Sequence, residues 1–82
     1  MQTLRYKIDV DNAKTLHKLG LQLQQIIADF IIQFESEQTY YILIIKGNRE
    51  VADLIKKTLN LQGVSYLLLN TQLTLETQDY DN

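Results

Sequence analysis

Residues Thr39 to Lys46 read Thr-Tyr-Tyr-Ile-Leu-Ile-Ile-Lys, a run that is apolar on both faces of an extended chain. Its shortness and its β-branched and aromatic content predict a strand rather than a buried helix. Tyr40, Ile42 and Ile44 fall on one face, and Tyr41, Leu43 and Ile45 on the other. Both faces therefore need cover, as in an inner strand of a parallel sheet. Leu4 to Val10 alternates instead, with Leu4, Tyr6, Ile8 and Val10 on one side and Arg5, Lys7 and Asp9 on the other. That pattern predicts a half-buried strand at a sheet edge, its charges discouraging further pairing. Val64 to Leu69 is again apolar on both faces. After a break at Asn70 and Thr71, Gln72 to Thr77 alternates as a fourth strand or a bent continuation of the third.

Two stretches carry helical spacing. From Leu16 the apolar positions are Leu19, Leu23, Ile26, Ile27, Phe30, Ile31 and Phe34, in steps of three and four residues. The stripe keeps its phase across Gly20, which predicts one helix from Asn12 to Phe34, with Asp11 or Asn12 as its N-cap. Such a helix would be roughly 34 Å long against about 27 Å for an eight-residue strand. It would overhang its sheet, and Ile27, Ile31 and Ile32 would widen its apolar arc toward something else. Glu35 to Gln38 is a polar loop. The second helix is predicted from Arg49 to Leu61, capped by Asn48 and ended by Gly63 in a left-handed conformation. Arg49 with Asp53 and Asp53 with Lys57 have the spacing of ion pairs along it.

The order strand, helix, strand, helix, strand, weak strand predicts an α/β two-layer sandwich of βαβαβ(β) type. Two helices pack on one face of a three- to four-stranded, mostly parallel sheet. The charges of the first strand place it at an edge and leave the second and third strands inside. Their uncovered face then shows an apolar patch of several hundred Å², the kind of surface that marks an interface. Tyr41, Leu43 and Ile45, extended by Leu67 and Leu69, are candidate interface residues, with Ile27 and Ile31 on the overhanging helix. A two-fold homodimer is the expected assembly.

Composition narrows this picture. Eighty-two residues make a single α/β domain over residues 1–77, followed by an acidic tail at 78–82. A chain of this size buries only about 60–65% of its unfolded surface, and with no cysteine it has no disulfide to staple it. Association would supply the missing burial. Of the ten acidic residues, Glu76, Asp79 and Asp81 lie in the last seven positions, leaving seven against eight basic ones. That near-neutral body argues against a nucleic-acid partner. Neither a membrane-spanning run nor the apolar core of a signal peptide is present, so a cytoplasmic location is expected.

Candidate chemistry is sparse. Lys46-Gly47-Asn48-Arg49 joins a strand to a helix start, where free N–H groups and two cations suit a phosphate or carboxylate. With Asn12 they form the candidate ligand-binding set. A capped turn with solvated cations accounts for the same residues, and neither Walker A nor Gly-x-Gly-x-x-Gly occurs. Asp9 and Asp11 suggest a divalent cation but lack a third ligand. His17 stands alone, and Ser36 and Ser65 have no nucleophile context. Tyr40, Tyr41 and Tyr66 lack the basic neighbours of a base-stacking surface. No cofactor, metal or catalytic residue is therefore assigned. The expected function is a small non-catalytic, self-associating regulatory or assembly module acting through protein contacts. The alternative is a sensor of an anion or nucleotide phosphate at Lys46–Arg49.

Overall fold

The strand with the cleanest alternation lies inside the sheet, not at its edge. The computed structural model describes residues 1–73 as β1 (Gln2–Asp9), α1 (Ala13–Ile26), β2 (Ile31–Ser36), β3 (Tyr41–Gly47), α2 (Ala52–Leu61) and β4 (Ser65–Leu73). The sheet order is β2-β3-β1-β4, and every neighbouring pair is antiparallel. This is the βαββαβ arrangement of two interlocked split βαβ units, the ferredoxin-like topology. Each helix links two parallel strands, and a strand of the other unit fills the gap between them.

The expectation of a mostly parallel sheet is thereby overturned, and residues 31–36 are the cause. They form β2, not the last turns of a long helix. α1 ends at Ile26, where the Ile27 N–H still donates to the Leu23 carbonyl at 2.8 Å. A turn follows in which the Phe30 N–H donates to the Ile27 carbonyl. The side-chain amide of Gln24 donates to the carbonyls of Ala28 and Phe30, closing the helix end. Beyond it Ile32 and Phe34 point toward the core while Gln33 and Glu35 point away, the alternation of a half-buried strand. An extra strand after α1 reverses the chain before β3, so β3 runs antiparallel to both of its neighbours.

The first strand is also central because its charges need an uncovered face, not an edge. Antiparallel sheets carry one solvated face without difficulty. Arg5, Lys7 and Asp9 lie there, while Leu4, Tyr6 and Ile8 are buried on the other side with Leu43 and Ile45 of β3. Leu19 and Leu23 of α1 and Ile55 and Leu59 of α2 complete this core, so both helices cover one face. Ile42 and Ile44 of β3 occupy the opposite face, yet they are only 8% and 4% exposed within the single chain. Lys7 and Glu35 flank Ile42 there, and Arg5 and Gln33 flank Ile44. Long side chains of this kind lay methylene stems over apolar neighbours. The central sheet face is therefore not the bare apolar patch expected of it.

Asn12 caps α1, accepting from the Thr15 N–H at 2.9 Å, and Gly63 takes the left-handed conformation, with φ +69°. α2 starts later than its sequence suggests. Val51 is its capping residue and Asn48 lies in the preceding connection. The Glu50 carboxylate accepts the Ala52 N–H. β4 continues through Asn70 without a break, but its register shifts so that Leu69 has no partner on β1. The remainder of the expected Gln72–Thr77 strand beyond Leu73, and the acidic tail, lie outside the described residues. Among the described residues no helix is long and apolar enough to cross a membrane.

Of the three glycines, Gly47 has the tightest surroundings. A Cβ there would sit 2.2 Å from two ring carbons of Phe30, itself buried in the core. Gly47→Ala should therefore destabilise the fold by about 1–3 kcal/mol, the usual range for overpacking. Equilibrium denaturant unfolding measures this, and an unchanged midpoint would show that the ring moves aside freely.

Candidate functional site

Of the residues grouped for anion binding, Asn12 does not join the Lys46–Arg49 turn. Gln2 pairs with Gly47 and Ile8 with Tyr41, so the end of β3 lies beside the start of β1. Asn12 follows the opposite end of β1. About seven residues of strand separate them, roughly 23 Å. Asn12 also spends its side chain on the N-cap.

The Lys46–Arg49 turn is occupied by contacts within the chain. Lys46 sits on the open sheet face, between Thr3 and Ile31. Arg49 donates twice to Asp29, Nε to Oδ2 at 3.0 Å and Nη2 to Oδ1 at 2.8 Å. Its guanidinium also lies 5.3 Å from the centroid of the Phe30 ring, within cation–π range. The hydrogen bond from Arg49 holds the Asp29 carboxyl below the usual carboxylate range, and the same bond pushes the Arg49 guanidinium further up. At the start of α2 the Glu50 carboxylate takes the Ala52 N–H. The cation and the helix N-terminus that an anion needs are thus each matched by a carboxylate of the chain. The cluster instead fastens the α1–β2 turn to the β3–α2 connection, with Phe30 stacked on Gly47.

The remaining candidates are scattered. Asp9 ends β1 opposite Ser65, and among the described residues no group of three His, Cys, Asp or Glu side chains could hold a metal ion. Tyr66 packs edge-on against Tyr6 at 6.0 Å and 72°, and burial pushes the Tyr6 phenol up. The Lys7 ammonium stands 4.7 Å from the Tyr40 ring centroid.

The expected interface residues divide sharply. Leu43, Ile45 and Ile27 are fully buried beneath the helices, and Tyr41 packs against that core. They are core because the register turns Tyr41, Leu43 and Ile45 toward the same side as Leu4, Tyr6 and Ile8. Ile31, Leu67 and Leu69 are exposed, on the two outermost strands.

The concave feature of interest was not legible as such in the sequence. A groove of about 390 Å³ runs between α1 and β2. Ala13, Leu16, His17, Gly20, Leu21 and Gln24 form one flank of α1, and Ile32 and Phe34 form its floor. Gly20 lets the helix come down on the strand, since a Cβ there would meet the Phe34 ring at 3.0 Å. Gly20 in mid-helix and the alternation of Ile32, Gln33, Phe34 and Glu35 were the signals present in the chain. The groove holds a single titratable side chain, His17, and no acid–base pair.

The chain matches no protein-family model, no curated protein and no solved structure.

The Asp29–Arg49 pair is exposed, so its effect is small and salt-sensitive. Asp29 has a lower pKa folded than unfolded. Its contribution is therefore present above about pH 4 and is lost as pH falls through the lowered value. In Arg49→Gln the Asp29 carboxyl should titrate higher than in the unmodified chain, read by side-chain NMR. Identical titrations in the two proteins would show that the pair is not populated in solution.

Proposed function

We propose that this chain is a small non-catalytic module of the cytoplasm that self-associates and acts in regulation or assembly through protein contacts. One observation carries the proposal: large apolar side chains stay exposed along both lateral margins of the sheet. Leu67, Leu68 and Leu69 on β4 are 60%, 46% and 47% exposed, and Leu21 and Ile31 beside β2 are 55% and 51% exposed. Both margins are open sheet edges among the described residues. An open edge offers unpaired N–H and C=O groups as a template for another strand. Apolar side chains beside such an edge add the burial that makes pairing stable. A fold of this size gains most from such burial, having no cysteine to staple it.

The anion-sensor reading lacks comparable support, because Asp29 and Glu50 already occupy Arg49 and the start of α2. Fold alone assigns no function here, since unrelated activities share this topology.

Light scattering coupled to size exclusion at micromolar concentration should give twice the chain mass of 9.6 kDa. A mass of one chain across that range would overturn the proposal.

A further inference from the structure

We infer that two copies of this chain join through the outer edge of β2, antiparallel and about a two-fold axis at Phe34, making one continuous sheet and closing the α1–β2 groove. The inference rests on the self-association proposed above and names the surface responsible.

The Glu37 N–H donates to the Tyr40 carbonyl at 2.9 Å at the end of the β2–β3 hairpin. Glu37 and Tyr40 are therefore a hydrogen-bonded pair, and such pairs alternate along an antiparallel ladder. In the register that sets Ser36 opposite Tyr41, the odd-numbered residues of β2 bond to β3. The even-numbered ones, Ile32, Phe34 and Ser36, aim their N–H and C=O groups away from the sheet. Gln24 supports the same assignment. It reaches down from α1 to the carbonyl of Phe30, the next even residue, at 3.2 Å. The free edge is thus closed at its Phe30 end by a side chain of the chain itself, and it is open along Ile32, Phe34 and Ser36.

This edge suits a copy of itself. With the axis at Phe34, Ile32 faces Ser36 of the second copy and Phe34 faces its own counterpart. Each opposed pair exchanges two bonds, about six in all. Directly opposed residues share a face, so the two Phe34 rings meet on the helix side. On the open side Gln33 lies opposite Glu35, twice over, an amide donor against a carboxylate acceptor with no like charges opposed. The same operation sets the α1 flanks of the two copies side by side. The exposed Leu21 then covers the groove of the other copy, where Ile32 and Phe34 are only partly buried. By contrast, β4 carries its leucines on a strand whose ladder is interrupted at Leu69. A bulge of that kind works against edge-to-edge pairing.

The test exploits the alternation. Ser36→Pro removes an outward N–H without removing a bond to β3, a change that edge strands tolerate. Leu21→Glu places a charge in the closed groove from an exposed helix position. Leu67→Lys alters the other margin. Mass in solution and thermal unfolding are measured for all four proteins. The expected result is a dimeric parent and a dimeric Leu67→Lys protein, with Ser36→Pro and Leu21→Glu monomeric and still folded. If Ser36→Pro fails to fold, Leu21→Glu decides alone. A dimeric parent whose Leu21→Glu form stays dimeric overturns this inference and leaves self-association standing, with Leu67→Lys reporting whether β4 is the contact. A monomeric parent removes self-association itself.

Discussion

Leu4, Tyr6 and Ile8 hold the two halves of the molecule together. Their strand lies between β3 and β4, and their side chains stand beneath both helices. Tyr6 faces Leu43 on one side and Leu68 on the other and meets the Tyr66 ring edge-on. Each split βαβ unit leaves a strand-wide gap that only the other unit's strand can fill: β3 between β1 and β2, and β1 between β3 and β4. Neither half can complete its sheet alone, so the pairing of β1 with β3 makes the fold cooperative. That pairing also joins residues distant in sequence, whose loop-closure cost is repaid only once the shared core is buried.

The same interlocking decides what is left over. Among the described residues the four strands in this order have two free margins, and the chain treats them differently. At β4 the ladder is interrupted and the leucines spread to both sides of the strand. At β2 the strand is short and regular, and the Phe30 carbonyl just before it is already taken by Gln24. Gly20 brings α1 down onto Phe34, and the groove lies beside this contact.

A second glycine, Gly47, does comparable work at the far end. It makes room for the Phe30 ring, on which Arg49 stacks while bonding to Asp29. Basic residues at a strand-to-helix turn suggest a ligand; in the structure Arg49 of that turn bonds to Asp29 and so joins two connections. Arg49 could not be assigned to that role from its own neighbourhood, because Asp29 lies twenty residues earlier. Its expected partner on the helix, Asp53, was closer in sequence, but Arg49 falls before α2 begins.

Local pattern alone determined much of this protein. The alternation of Leu4 to Val10, the apolar run from Tyr41 to Ile45, the stripe of α1 through Leu23, the Asn12 cap and the left-handed Gly63 each follow from spacing and from the chemistry of single residues. Ile27 to Phe34 could not be settled that way. Ile27, Ile31 and Phe34 satisfy helical spacing, Ile32 and Phe34 satisfy strand alternation, and short apolar runs do not distinguish the two. Pairing with β3 decided it, since only a strand there covers the flank of Ile45 and Leu43. With β2 placed, the sheet direction, the central position of β1, the inward face of β3 and the groove under α1 all followed. These are properties of which segments pair, and pairing is a long-range energy that no single stretch of the chain contains.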